Sequence, residues 1–252
     1  MVHGLRACEA LFARRPEAIV RVYVAAHRKP TFKRLLEYCA ERRRGFQVVD
    51  ESSLDRLAGG IHHEGIVILA REHDRGDASA LLAGVRAGTV RGPILYLDGV
   101  HNPHNLGSIL RTAAHFGAGA VVGADGDLPA LSAAAARVAE GGAEVVPLFA
   151  CADPADTLRA LGGAGLRVVT TSSRRGEPVA AAKLSRDVVL LLGSEAEGVS
   201  ARLAALADAR VRIPGTGAVQ SLSVAVACGI LLAESCRDAP QAPAGGAAAA
   251  RG

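Results

Sequence analysis

The chain has 252 residues, half of them hydrophobic and 21% charged, enough for a sizeable core in one large domain or two modest ones. Aromatic residues make up 3% and tryptophan is absent, so a nucleic-acid surface here cannot rest on many stacking rings. The formal net charge of +4 is uneven: residues 1–71 carry +5 and residues 72–252 carry −1, which suggests a polyanion-contacting module joined to a near-neutral body. The bland alternative is that Arg14-Arg15 and Arg42-Arg43-Arg44 are solvated faces.

The start, interrupted by Arg6, Glu9, Arg14 and Arg15, does not read as a signal peptide. An amphipathic helix is expected from Leu5 to Arg14, stopped by Pro16, and a strand over Ile19–Ala25. A helix over Thr31–Arg44, capped by Thr31 and ended by Gly45, a strand over Phe46–Val49, a small helix over 52–57 and a strand over Gly65–Arg71 complete a compact α/β unit. His62-His63 lacks a third ligand or a nearby cysteine, so it reads as a turn that touches RNA and not as a metal site. Residues 72–92 turn to Gly, Ala and charge, with one weak helical patch at Ala80–Val85, and are taken as the linker between domains.

Strands and helices then alternate: strand 94–98, helix 105–116, strand 119–123, helix 129–139, strand 144–148, helix 154–161 and strand 167–171. Strand 187–192, a short helix 200–207, strand 210–213 and a long apolar helix 219–235 follow. This pattern predicts an α/β fold with a mostly parallel sheet and helices on both faces. The longest apolar segment, Val219–Ala233, includes Gln220 and two serines and is too short to span a bilayer, which takes roughly 20 apolar residues, so no membrane is expected. From Asp238 the chain is Ala/Gly/Pro-rich, and 238–252 is expected to be a disordered tail. The cysteines (Cys8, Cys39, Cys151, Cys228, Cys236) show no metal spacing and read as reduced small hydrophobes of a cytoplasmic protein.

Chemistry gathers at three strand ends. After Ile94-Leu95-Tyr96-Leu97 comes Asp98-Gly-Val-His-Asn102-Pro-His-Asn105, in which Asn105 is the expected helix cap and Gly107 allows close approach to the helix start. Arg111 follows one and a half turns on; read alone, this stretch is equally a well-capped helix with a surface arginine. Leu192-Gly193-Ser194-Glu195 places a carboxylate just past an apolar strand, and Ile213-Pro214 leads through glycines into Gln220-Ser221-Leu222-Ser223. A dinucleotide fingerprint, a Walker sequence, HExxH and GxSxG are all absent.

Asn105-x-Gly107-x-x-x-Arg111, Gly193-x-Glu195-x-x-Gly198 and Ile213-Pro214…Gln220-Ser221-Leu222 resemble the three motifs of the SpoU-type (TrmH-type) RNA ribose 2′-O-methyltransferases, in the SPOUT class. Order and spacing match over roughly residues 93–236, and residues 1–71 resemble the ribosomal-protein-like RNA-binding domain that precedes the catalytic domain in many members. The resemblance implies a trefoil knot in the C-terminal part of the sheet of a catalytic domain spanning 93–237. It implies S-adenosylmethionine held at Gly193, Ile213 and Leu222, no metal, and a homodimer packed through helix 219–235. Arg111, Asn105, Glu195 and Ser221 would form the catalytic set, with Glu195 holding Arg111, and RNA, ribosomal in preference to transfer RNA, would be the substrate. The chain departs from the family's usual Ser-Leu-Asn-Val-Ser with Ser221-Leu222-Ser223-Val224-Ala225. That departure supports a competing reading, an RNA-binding or ribosome-assembly protein that keeps the fold with little catalysis.

Overall fold

The computed structural model describes residues 1–238; the tail expected over 238–252 lies, but for Asp238, outside the described residues. The first unit comprises β1 (Val2–His3), α1 (Leu5–Arg14), β2 (Ile19–Ala25), α2 (Lys33–Glu41), β3 (Gly45–Val49), α3 (Glu51–Ala58) and β4 (Ile66–Ala70). Its sheet runs β1-β4-β2-β3, with β2 and β3 parallel and the other pairs antiparallel. Cys8 and Leu11 of α1 and Leu35 and Cys39 of α2 bury one sheet face with Val22, Val24 and Ile68. On the other face Leu54 of α3 covers Ala25 and Val67. Two expectations change here. Helix α2 is shorter than 31–44 and has no side-chain cap, Thr31 included, and β1 adds a fourth strand that the sequence does not announce.

The second unit begins inside the expected linker. Gly76–Asp77 form β5, a parallel partner of the strand at 148–151, and Asp77 caps α4 (Ala78–Arg86) by accepting from the Ala80 N–H. Leu81 of α4 is fully buried, so only the few residues between β4 and β5 connect the units. Then follow β6 (Ile94–Asp98), α5 (Pro103–Phe116), β7 (Ala120–Ala124), α6 (Ala133–Val138), β8 (Leu148–Cys151), α7 (Pro154–Gly163) and β9 (Arg167–Thr171). The chain closes with β10 (Glu177–Pro178), β11 (Val188–Gly193), α8 (Ala201–Ala204), β12 (Ala209–Arg212) and α9 (Val224–Ser235).

The eight strands are ordered β10-β12-β9-β11-β6-β7-β8-β5, and every neighbouring pair is parallel. Side chains alternate across the sheet as a strand dictates. Leu95, Leu97, Leu190 and Leu192 face a core with α5 and α9, and Ile94, Tyr96, Val189 and Leu191 face one with α4 and α7. This is the three-layer parallel architecture that the alternation predicts. Order and sequence diverge where β11 is inserted between the earlier strands β6 and β9, flanking the switch point, and again where β12 lies between β9 and β10 and β5 joins the far edge beside β8.

The strand expected over 144–148 is wrong. Gly142–Glu144 form a single 3₁₀ turn and the strand starts after Pro147, at Leu148. Pro147 has no N–H to give a ladder, while Glu144 is committed elsewhere. Its carboxylate accepts two bonds from Arg15, 2.9 Å from Nε and 3.1 Å from Nη2, and lies 2.9 Å from Nε2 of His73. Arg15 also donates to the Arg71 and Glu72 carbonyls, so one carboxylate ties α1, the connecting segment and the second unit together. Helices α6 and α9 are also shorter than the expected 129–139 and 219–235, each starting after a serine cap, Ser132 and Ser223.

Candidate active site at the carboxyl edge of the parallel sheet

Strands β6 and β11 are in register and end together at Asp98 and Gly193, beside the point where the sheet order reverses. Open α/β sheets place their ligands at such a crevice. Asp98 Oδ2 accepts from the Ser200 N–H at 2.7 Å, which ties the loop leaving β11 to the end of β6. Within that loop Gly198, at φ +72°, donates to the Ser194 carbonyl at 2.9 Å, and Ser194 Oγ accepts from the Glu197 N–H at 3.1 Å. The loop folds back so closely that a Cβ on Gly193 would fall inside the Gly198 peptide. Glycine at 193 is thus a requirement of backbone packing.

This folded loop presents Glu195, whose Oε1 accepts from Asn105 Nδ2 at 3.1 Å. Asn105 is free to do so because it is not the cap of α5, contrary to expectation. Asn102 is the cap, accepting from the His104 N–H at 2.9 Å, with Pro103 in the first helical position that favours proline. The role expected of Gly107 also changes. A Cβ there would lie 2.6 Å from the Ala135 carbonyl and 2.8 Å from Val138 Cβ, so Gly107 admits α6 rather than a ligand.

Arg111 is exposed on α5 and, among the described residues, makes no hydrogen bond or ion pair. The expected Glu195–Arg111 pairing is therefore not formed; Glu195 pairs with Asn105. Against α5 at this level sits the 142–144 turn, where a Cβ on Gly142 would be 3.0 Å from Arg111 Cα.

The third motif stands apart from the other two. Ile213 packs partly against the core, whereas residues 214–223 are exposed, Leu222 by 43% and Val219 by 72%. Among the described residues, the stretch 214–222 makes a single hydrogen bond, from the Ala218 N–H to Thr216 Oγ1 at 3.3 Å. Ser221 has none, and no bond joins it to Asn105 or Glu195. Ser223 accepts from the Val226 N–H at 3.4 Å and so caps α9. Free main-chain donors and acceptors beside apolar Ile213, Val219 and Leu222 suit a ligand read through backbone polarity and apolar contact. Among the described residues, no group of three or more His, Cys, Asp or Glu side chains could hold a metal ion.

Two residues were missed as parts of this edge. Asp98 closes the β11 loop, and Asp127 accepts from the Gly99 N–H at 2.9 Å and lies 3.2 Å from His101 Nε2, fixing the turn before α5. A carboxylate at the last position of an apolar strand was a readable signal for Asp98; nothing local marks Asp127.

Comparison with known proteins bears on the same two units. A family model described as RNA 2′-O ribose methyltransferase substrate binding matches residues 1–75, and the model of the SpoU rRNA methylase family matches residues 92–233. The chain is 40% identical over 233 residues to an uncharacterized tRNA/rRNA methyltransferase, YfiF, of Escherichia coli O157:H7, covering 92% of this chain but 66% of that protein, just under two-thirds of its length. It is 35% identical over 239 residues to the 23S rRNA (guanosine-2′-O-)-methyltransferase RlmB of Bordetella pertussis, covering 93% of this chain and 95% of that protein. In fold it is similar to an AdoMet-bound rRNA methyltransferase from Sinorhizobium meliloti, with a TM-score of 0.75, 24% identity, and coverage of 95% of this chain and 87% of that one. With the three motifs at the strand ends and the matching model spanning more than half its length, this chain belongs to the SpoU rRNA methylase family.

Proposed function

We propose that the protein is an S-adenosylmethionine-dependent RNA ribose 2′-O-methyltransferase whose substrate is ribosomal RNA. The observation that carries this reading is the Asn105–Glu195 bridge. It joins the first two motifs across the switch point and, among the described residues, leaves the exposed Arg111 guanidinium on the same helix without a partner. RlmB-type relatives that align over nearly their whole length support ribosomal over transfer RNA.

The residues would divide the work as follows. Backbone groups of Gly193 and of the 213–222 stretch, with Ile213 and Leu222 alongside, would hold the cofactor, which supplies an electrophilic methyl on a sulfonium. A ribose 2′-hydroxyl is a weak nucleophile, and negative charge grows on its oxygen as its proton leaves to solvent and alkoxide character develops for the transfer. Arg111 stabilises that charge and the adjoining phosphate as a fixed cation. Asn105, oriented by Glu195, positions the ribose, and Ser221 closes the pocket from the third motif.

A homodimer built through α9 belongs to the same reading. On α9 Val226 is exposed by 51% and Ile230, one turn on, is half-buried, an apolar strip that a second copy would cover. So does a trefoil knot, which the insertion of β11 between earlier strands supports. Among the described residues no helix is long and apolar enough to cross a membrane, and a ribosomal substrate sets the place of action in the cytoplasm. The competing reading, an RNA-binding protein with little catalysis, draws on Ser223, which is engaged as a helix cap where the family usually has asparagine. Transfer of a labelled methyl group to ribosomal RNA lacking its own modifications, with mapping of the modified ribose, separates the two. Stoichiometric methylation of one 2′-hydroxyl is the expected result, and RNA binding without transfer would favour the competitor.

A further inference from the structure

Among the described residues, strand β3 is the outermost strand of the first sheet, paired on one side alone. It carries two large apolar side chains in the open: Phe46 is 44% exposed and Val48 42%. Their register partners on β2, Val22 and Val24, are fully buried, so the apolar face of the sheet runs out to an uncovered rim. For one of the chain's five phenylalanines to sit there is costly unless something covers it.

The charges around the rim say what that is. Arg42, Arg43 and Arg44 lead directly into β3, and Arg43 adopts φ +53°, a left-handed conformation that side-chain-bearing residues avoid. Arg21, the register partner of Gly45, crosses over it on the opposite face, the one with Tyr23 and Ala25: a Cβ on Gly45 would lie 2.9 Å from Arg21 Nε. Among the described residues, the guanidinium groups of Arg21, Arg42 and Arg43 have no hydrogen bond or ion pair. Arg44 is fixed to the carbonyl of Glu17 at 3.4 Å, and Arg71 reaches the same carbonyl at 2.6 Å. The neighbouring acidic side chain, Glu41, forms no ion pair among the described residues.

We infer that the β3 rim is a platform for an unpaired stretch of RNA, with a base stacked on Phe46 beside Val48 and the flanking phosphates held by Arg42 and Arg43. An exposed ring with unneutralised arginines is the combination that binds single strands, because every base has a face to stack and every linkage a phosphate. A protein segment pairing with the β3 edge would use the backbone and the apolar pair but leave Arg42 and Arg43 unmatched. The inference rests on the proposed RNA substrate and narrows it: the substrate presents unpaired nucleotides to the first unit, away from the methylated ribose.

The test uses the full chain and fluorescently labelled RNA of about 12 nucleotides, single-stranded or as a duplex, with affinity followed against salt. Phe46→Ala should weaken single-strand binding about tenfold, the scale of one lost stacking contact. Phe46→Leu, which keeps an apolar side chain at the rim, should weaken it nearly as much. Arg42→Ala with Arg43→Ala should lower the slope of log affinity against log salt by about 1.4, or about 0.7 per phosphate contact. Tighter binding of the single strand than of the duplex is expected. Equal binding of the two, full restoration by Phe46→Leu, or unchanged affinity and slope in the variants would overturn the platform and favour a protein partner at the edge. Cofactor binding by each variant reports the fold. Methyl transfer by the unaltered protein stands or falls separately, so loss of the platform is distinguishable from loss of the proposed activity.

Discussion

The carboxylate that locks the two units together offers a quantitative test. Burial opposes a charge on Glu144, whose side chain is 5% exposed, but the His73 ring and the Arg15 guanidinium outweigh it and bring the carboxyl from the usual 4.5 to about 2. A carboxyl lowered in this way stabilises the folded state fully above its unfolded value and loses that contribution as pH falls from 4.5 towards 2. The difference corresponds to about 3 kcal/mol. Glu144→Gln keeps the shape and removes the charge. Arg15 retains the Arg71 and Glu72 carbonyls, so the loss should stay near 2–3 kcal/mol rather than at the upper end for a broken buried pair. In a chain of this size that lowers Tm by about 4–12 °C at neutral pH. The measurement is thermal and denaturant unfolding of both proteins between pH 7 and pH 2, and the decisive quantity is their difference. It should be largest above about pH 5 and shrink through the acid window. A difference below about 0.5 kcal/mol at pH 7, or one that ignores pH, would show that desolvation cancels the pair.

Three other outcomes follow from the site. Arg111→Ala should abolish methyl transfer with fold and cofactor affinity intact; retention of more than about a tenth of wild-type turnover, under ~1.4 kcal/mol of barrier, would remove it from the chemistry. Asn105→Ala and Glu195→Gln should each slow turnover, and their double-mutant cycle should show coupling of about 1 kcal/mol, a modest value because the bridge is solvent-exposed; additive effects would mean that the bridge does not orient Asn105. Ser223→Ala should cost about 1 kcal/mol through the lost cap, whereas Ser223→Asn keeps a capping oxygen. If the family asparagine acts on the reaction, Ser223→Asn also raises turnover, and a fall with stability unchanged would mark the serine as an adaptation.

The sequence is most legible where one element can be read from its own residues. The continuous apolar runs of β6 and β11 needed no partner to be recognised, because both faces of a central parallel strand are buried. Asn102-Pro103 marks the start of α5 by the same local logic, yet Asn105 drew attention because it carries the motif; the proline was the better guide. Legibility fails where tertiary partners decide. Gly76–Asp77 is a strand only because the end of β8 lies beside it, and α4 is anchored by a single fully buried leucine. Val145-Val146 looks like a strand, but the demand on Glu144 from the other unit and the proline at 147 move the strand onward. The Asn105–Glu195 contact joins residues from opposite halves of the second unit, and the resemblance had assigned the carboxylate to a different partner.

The insertion of β11 between β6 and β9 also sets the timetable of assembly. Its ladder pairs Val189 with Ile94 and Leu192 with Leu97. As the chain leaves the ribosome, the first unit has all of its strands by Ala70, but the second cannot close until about residue 193 has emerged. In the interval β6 carries Ile94, Leu95, Tyr96 and Leu97 on an unpaired edge, the kind of surface that recruits foreign strands. Non-local pairing of this kind folds slowly. Truncations within β11 or just before it should therefore yield a second unit that aggregates, even though most of its helices and strands are already present.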